Sequence, residues 1–236
     1  MKLDVLAIGA HRDDIELSCG GTIIKLVDQG YNVGILDLTR GEAGTRGSAR
    51  QREKEANNAA KCMGIKVREN LGLPDAWVTN TKITKMKLIK ILRKYQAETV
   101  IIPFWQDRHP DHYNTSILSY EACFLSGLEK IKIHGKAYRP KNIIYYLAFK
   151  GIDPSFIVDI TDQFKRKIEA IKCYKSQFTD SIKGEKIFWS NKDIFEFQES
   201  HARICGALIG KKYGEAFLLK KPQEIENIMK IKGKFI

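Results

Sequence analysis

The first half of this chain repeatedly exchanges short apolar runs for longer amphipathic ones, and that pattern most narrows what it can fold into. Leu3 to Ala10 (LDVLAIGA), Val33 to Leu38 (VGILDL) and Thr99 to Pro103 (TVIIP) are nearly continuous apolar segments of strand length. Runs of this kind are strands buried on both faces; a half-exposed strand would alternate instead. Lys66 to Leu71 reads as a further strand. Helical stretches fall between them: Thr22 to Gln29 closed by Gly30, Ser48 as a cap through Met63, and Thr81 to Lys94. Asp111 to Gly127 continues the series as a helix. Further on, Asn142 to Phe149 and Phe156 to Ile160 read as strands, and Asp162 to Tyr174 and Asp193 to Ile209 as helices.

Strand–helix–strand units in series build a parallel sheet with helices on both faces. The expected fold is α/β and Rossmann-like, with a mostly parallel sheet in one domain over 1–236. No internal repeat and no Pro-, Gly- or Ser-rich linker divides the chain.

Ligands of such sheets bind beyond the carboxyl ends of the strands, so reactive residues are sought just after strands. Two clusters lie there. Ala10-His11-Arg12-Asp13-Asp14 follows the first strand, and Asp107-Arg108-His109-Pro110-Asp111-His112 follows the strand ending at Pro103. Three of the chain's five histidines fall in these two loops, which argues against chance placement. A catalytic zinc takes three protein ligands and leaves a position for water. His11 and Asp14, three residues apart, can converge on one ion as a turn closes, with His112 supplying the third ligand. Two histidines and a carboxylate also suit ferrous iron or manganese, so ligand type leaves the metal open.

Asp13 is then a carboxylate beside the metal that binds no ion, suited to act as general base towards water. His109, three residues before His112, can face the same cavity and, protonated, stabilise an oxyanion, with Asp111 orienting its other nitrogen. His134, in a basic loop, reads as a surface residue, and His201, within a late helix, as structural. Thr39 to Ser48 (TRGEAGTRGS) matches neither glycine-rich nucleotide fingerprint and reads as a loop over the pocket. It carries Arg46 and leads to Arg52; with Arg12, these are candidate anchors for an acidic substrate.

The formal net charge of +12 raises nucleic acid as a partner, but the lysines are dispersed. Lys82, Lys85, Lys87 and Lys90 lie at the spacing of a solvated helix face, and no basic block is interleaved with stacking aromatics. Attraction of a small anionic substrate accounts for the same charge. No apolar run reaches the ~18 residues of a membrane span, and Met-Lys-Leu-Asp does not open a secretory signal. Cys19, Cys62, Cys123, Cys173 and Cys205 are odd in number and form no C-x-x-C pair. Reduced, mostly buried thiols in a cytoplasmic protein are expected.

Taken together, Ala10-His11-x-Asp13-Asp14, Thr39-Arg40-Gly41-Glu42 with Gly44-Thr45-Arg46-Gly47, and His109-Pro110-Asp111-His112 resemble the LmbE-like (PIG-L) deacetylases. The resemblance implies a zinc enzyme that removes acetate from N-acetylglucosamine conjugates. Glu69 to Asp75 (ENLGLPD), Ala122 to Leu128, Val158 to Thr161 and Tyr174 to Phe178 (YKSQF) are similar to the bacillithiol-biosynthesis branch. That branch deacetylates N-acetylglucosaminyl malate, and its members are often hexameric. Carried over, His11, Asp14 and His112 match the zinc ligands, one ion per subunit. Asp13 matches the base, His109 the transition-state stabiliser and Arg52 the substrate arginine. Arg12 departs from the small residue or proline usual at its position; it is expected either to meet the malate or to point to solvent. Trp189, Tyr213 and Glu215 are candidates to close the pocket. A deacetylase of another glucosamine conjugate and a non-enzymatic sugar- or nucleic-acid-binding module are the rival readings.

Overall fold

A computed structural model describes residues 1–147, 153–178 and 191–230 of the chain. The elements alternate as the apolar runs require: β1 (Val5–Gly9), α1 (Asp14–Asp28), β2 (Val33–Thr39), α2 (Ala49–Met63), β3 (Val67–Leu73), α3 (Lys82–Tyr95), β4 (Thr99–Pro103) and α4 (Pro110–Ser126). There follow β5 (Asn142–Tyr146), β6 (Phe156–Asp159), α5 (Phe164–Lys172), α6 (Lys175–Phe178), α7 (Asn191–Ala207) and β7 (Gly214–Leu218). Among the described residues, seven strands form one sheet in the order β3-β2-β1-β4-β5-β7-β6. The first five are parallel, and β7 runs antiparallel to both of its neighbours.

The continuous apolar strands are explained by two cores, one on each sheet face. Val5 and Ala7 of β1 pack with Ile35 against α1, α2 and α5, whereas Leu6 and Ile8 pack with Leu36 and Leu38 against α3 and α4. Alternate residues of one strand thus feed opposite cores, so a strand is apolar throughout unless, as at Asp37 of β2, a buried partner satisfies the polar group. Each fully buried Leu or Ile contributes about 1.5–3 kcal/mol.

Two features differ from the sequence reading. Helix α1 begins at Asp14, inside the stretch expected to be loop, and is broken at Cys19 (φ −139°). The carboxylate of Glu215 on β7 accepts the N–H groups of Gly21 and Thr22 at 2.9 and 2.6 Å, capping the second half from across the sheet. Gly21 is required there, because a Cβ would stand 2.7 Å from Cδ1 of Ile160. The second difference is β7 itself, a short GEAFL segment with no apolar run long enough to announce it. The expected strand end at Phe149 lies outside the described residues.

The chain leaves β1 towards β2 and β3 on one side and returns through β4 and β5 on the other. The strand order therefore reverses between β1 and β4, whose carboxyl ends lie side by side. This is where doubly wound sheets bind ligands.

Candidate metal and active site

Both histidine-bearing loops open at that reversal. Nδ1 of His11 and Nε2 of His112 stand 3.3 Å apart; Oδ1 of Asp14 lies 3.7 Å from the first and 3.3 Å from the second. Three ligands held at ~2.05 Å in a tetrahedron are about 3.3 Å from one another, so the triangle has the size that zinc requires. The other oxygen of Asp14 accepts the backbone N–H of His11 at 2.9 Å, which closes the turn and aims Oδ1 at the imidazoles.

The outer nitrogens of both rings are held by carboxylates. Nε2 of His11 lies 3.1 Å from Asp75 and 3.3 Å from Asp111. Asp111, fully buried at the start of α4, also accepts the N–H groups of Ala76 and Val78 at 2.8 and 3.0 Å. Nδ1 of His112 lies 3.2 Å from Asp107. Carboxylates behind ligating imidazoles fix the ring orientation and raise its basicity.

Electrostatics fit the same assignment. Burial disfavours charge on His112, but Asp14 and Asp107 overcome it and raise the imidazole to about 9. His11 is likewise raised against burial, chiefly by Asp14. Burial would lift the Asp14 carboxyl, yet the two imidazoles hold it well below its ordinary value. Carboxylates that favour positive charge on these rings favour equally the divalent cation that can take its place.

Asp13 precedes α1 but makes no side-chain cap bond; its carboxylate meets Nη2 of Arg52 at 3.4 Å. Arg52, buried on α2, also donates from Nη1 to the carbonyl of Gly41 at 2.9 Å. Gly41 has φ +73°, and a Cβ there would fall 2.1 Å from Nη1 of Arg52, so the loop and the guanidinium fit only with glycine. His109 caps α4, its Nδ1 accepting the backbone N–H of Asp111 at 3.2 Å. Burial, together with the positive His11 and His112, holds His109 below its usual value. Because Nδ1 accepts that bond, a proton carried by the ring sits on Nε2.

Asp111 differs from the expectation. Its backbone, not its carboxylate, engages His109, and the carboxylate serves His11 instead. Arg12 differs too, meeting neither solvent nor the cleft. It is 4% exposed, donates to the carbonyl of Ala49 at 3.2 Å and lies 3.8 Å from Glu53. The backbone carbonyl of Arg12 is held by Arg68 and Tyr174. Arg68 also forks onto Asp37 with two 2.9 Å bonds and meets Glu16 at 2.6 Å, a buried ionic cluster directly beneath the metal loop.

The cleft holds about 310 Å³ and is walled by Leu17, Gly44, Arg108, Gln177, Phe178 and Ile194, besides the residues above. Arg46 does not line it; the half-buried residue receives Gln177 Nε2 on its backbone carbonyl at 2.7 Å. Helix α6 is fixed by Glu55, which accepts the N–H and hydroxyl of Ser176 at 2.8 and 2.6 Å. Gln177 and Phe178 thereby fill the place expected for Tyr213 or Glu215. Tyr213 stacks on Phe164, and Glu215 pairs with Lys167 at 2.8 Å, both outside the cleft. Trp189 lies outside the described residues. His134 is exposed, and His201 stacks on Phe197. All five cysteines are free, and among the described residues no helix is long and apolar enough to cross a membrane.

The sequence assigned no individual role to Asp75, Asp107, Arg108, Gln177 or Phe178, although Asp107 and Arg108 lie in the second cluster. Asp75 and Asp107 each carried a signal, a carboxylate shortly after a strand; Gln177 and Phe178 carried none beyond the YKSQF resemblance.

Known proteins bear on this geometry. Residues 6–123 match the family model described as PIG-L: GlcNAc-PI de-N-acetylase. The conserved protein TT1542 from Thermus thermophilus is 35% identical and superposes with a TM-score of 0.87, covering 94% of this chain and 97% of its own. The N,N'-diacetylchitobiose deacetylase from Pyrococcus horikoshii is 33% identical, with a TM-score of 0.80, covering 90% of this chain and 82% of its own. A 4-oxalmesaconate hydratase from Pseudomonas putida is 26% identical over 189 residues, 73% of each chain. With two metal-type loops at the sheet reversal and a family match that spans half of its length, the chain belongs to the PIG-L family of de-N-acetylases.

Proposed function

We propose that this enzyme is a zinc-dependent hydrolase of the acetamide of an N-acetylglucosamine conjugate with an anionic aglycone, N-acetylglucosaminyl malate. The observation that carries the amide hydrolysis is the triangle of His11, Asp14 and His112, with Asp13 and His109 beside it. His11, Asp14 and His112 would hold the metal. Bound zinc polarises a carbonyl and lowers the pKa of water towards neutrality.

The remaining steps belong to the protein. Asp13, which makes no helix-cap bond, takes the proton of the attacking water and returns it to the amine that leaves. Arg52 holds Asp13 in place at 3.4 Å. His109, whose Nδ1 accepts the Asp111 N–H, donates from Nε2 towards the oxyanion.

The anionic aglycone is supported by Arg108 and Arg52 on the cleft wall, by the net charge of +12 and by the bacillithiol-branch motifs. Guanidinium groups match carboxylates bidentately. Steady-state comparison of N-acetylglucosaminyl malate with a neutral N-acetylglucosaminide tests it. The malate conjugate is expected to have a kcat/KM at least tenfold higher; equal values would reject the anionic anchor and leave the deacetylation.

A second reading follows from the hydratase relative: addition of water to a small polyacid. It shares the metal and the anionic substrate but releases no acetate.

A further inference from the structure

Gln177 lines the metal cleft beside Leu17, Phe178 and Ile194, and neither the metal nor the proton transfers call on it. Its amide is oriented by a directional chain of hydrogen bonds. Both oxygens of Glu55, buried on α2, are taken by Ser176: Oε1 by the backbone N–H at 2.8 Å and Oε2 by the hydroxyl at 2.6 Å. Because the Ser176 hydroxyl gives its proton to Glu55, its oxygen is left to accept, and it accepts from Nε2 of Gln177 at 3.0 Å. The second hydrogen of that nitrogen goes to the carbonyl of Arg46 at 2.7 Å. The network therefore decides which end of the amide is nitrogen.

Oε1 is the atom that remains. It meets no donor among the described residues, and it is not enclosed by protein. The surface that Gln177 reaches is the cleft wall, where Leu17, Phe178 and Ile194 offer no polar side-chain atom. The carboxylates of the lining have other tasks: Asp14 belongs to the metal triangle, Asp75 faces His11, and Asp13 is the base. A single oriented, neutral acceptor on an apolar stretch of wall fits a neutral donor of the ligand and fixes how that ligand lies.

We propose that Gln177 is a specificity residue whose Oε1 accepts the sugar hydroxyl next to the acetamide, the 3-hydroxyl. This rests on the hydrolysis of an N-acetylglucosamine conjugate proposed above. The acetamide nitrogen is already served by Asp13, and the carbon on its other side carries the aglycone. The 3-hydroxyl is thus the donor nearest the reacting group that has no partner yet. An acceptor held from two sides meets it without first having to be ordered.

Steady-state kinetics of the full-length, zinc-loaded enzyme with methyl N-acetylglucosaminide and its 3-deoxy analogue test the assignment. The unmodified enzyme should lose about tenfold in kcat/KM on the deoxy compound, the net worth of one hydrogen bond to an acceptor that water otherwise fills. Gln177→Met keeps the length of the side chain without its carbonyl. It should lose about tenfold on the parent compound and no more than about twofold on the deoxy one, so that the enzyme ceases to tell them apart. A side chain that only held the loop in place would lower both rates alike. Ser176→Ala lets the amide turn and should narrow the discrimination to about threefold. Affinities of the two compounds for the Asp13→Asn protein, from ligand-observed NMR titration, make the same comparison without turnover. If neither compound releases acetate, the hydrolysis falls and these affinities alone judge the hydroxyl contact. Equal kcat/KM or equal affinities for the two compounds, or parallel losses in Gln177→Met, would each overturn the proposal.

Discussion

Asp111 joins two loops through one side chain: its Oδ2 stands 3.3 Å from Nε2 of His11, and its oxygens accept the N–H groups of Ala76 and Val78. The loop after β3 and the helix after β4 thus both orient a ligand that follows β1. Asp75 reinforces the arrangement, meeting the same nitrogen at 3.1 Å. Asp111→Asn and Asp75→Asn should each lower metal affinity roughly 10–100-fold, the usual loss for a carboxylate behind a ligating imidazole. Competition with a chromophoric chelator measures this. Unchanged affinity in both variants would remove them from the metal site.

Asp13 and His11 are neighbours in sequence with separable tasks. Asp13→Asn should keep one metal per chain while kcat falls by roughly 10²–10⁴, the range for loss of a general base. His11→Ala should lose metal and turnover together. Metal analysis beside steady-state rates distinguishes them, and full turnover in Asp13→Asn would refute the role given to that carboxylate.

Gly41 and Arg52 share one volume. A methyl group on Gly41 would stand 2.1 Å from Nη1 of Arg52, at a φ of +73° that disfavours any side chain. Gly41→Ala should therefore displace the guanidinium and behave as Arg52→Met does in substrate kinetics, with bound metal retained. A Gly41→Ala enzyme with ordinary kcat and KM would show that the loop does not hold Arg52 in its working position.

The ionic cluster beneath the metal loop should be costly to open on one side. The Arg68 side chain is 5% exposed and serves Asp37, Glu16 and the Arg12 carbonyl together. Arg68→Met leaves the buried Asp37 carboxylate without a partner and Glu16 with the Tyr174 hydroxyl alone, and should cost about 3–5 kcal/mol. Tyr174→Phe removes one hydroxyl from the same carbonyl and should cost about 1 kcal/mol. Urea denaturation measures both, and a smaller loss for Arg68→Met than for Tyr174→Phe would contradict the arrangement.

Much of this was legible in the sequence, for a physical reason. Strands buried on both faces must be continuously apolar, so β1, β2 and β4 are visible, and the sheet reversal places the following loops together. The meeting of His11, Asp14 and His112 was legible because ligand chemistry restricts which residues can serve a metal. What stayed hidden depends on contacts between distant segments. The helical start of α1 is capped in its second half by Glu215, 194 residues away, so nothing local marks the break at Cys19. Arg12 was read as a cation facing the substrate because only the fold shows that it turns to Ala49. Arg68 gave no sign of its role, since an arginine in a strand ordinarily lies at a solvated edge. Gln177 and Phe178 reach the cleft through the docking of Ser176 on Glu55, a pairing across 121 residues.

Metal-dependent removal of acetate is measured by following acetate release from N-acetylglucosaminyl malate by the enzyme before chelation, after it, and after zinc is restored. The arrangement of His11, Asp14 and His112 predicts release that is lost with the metal and returns with it. Release that continues in the metal-free protein, or the absence of release from any N-acetylglucosamine conjugate by the zinc-loaded one, would contradict it.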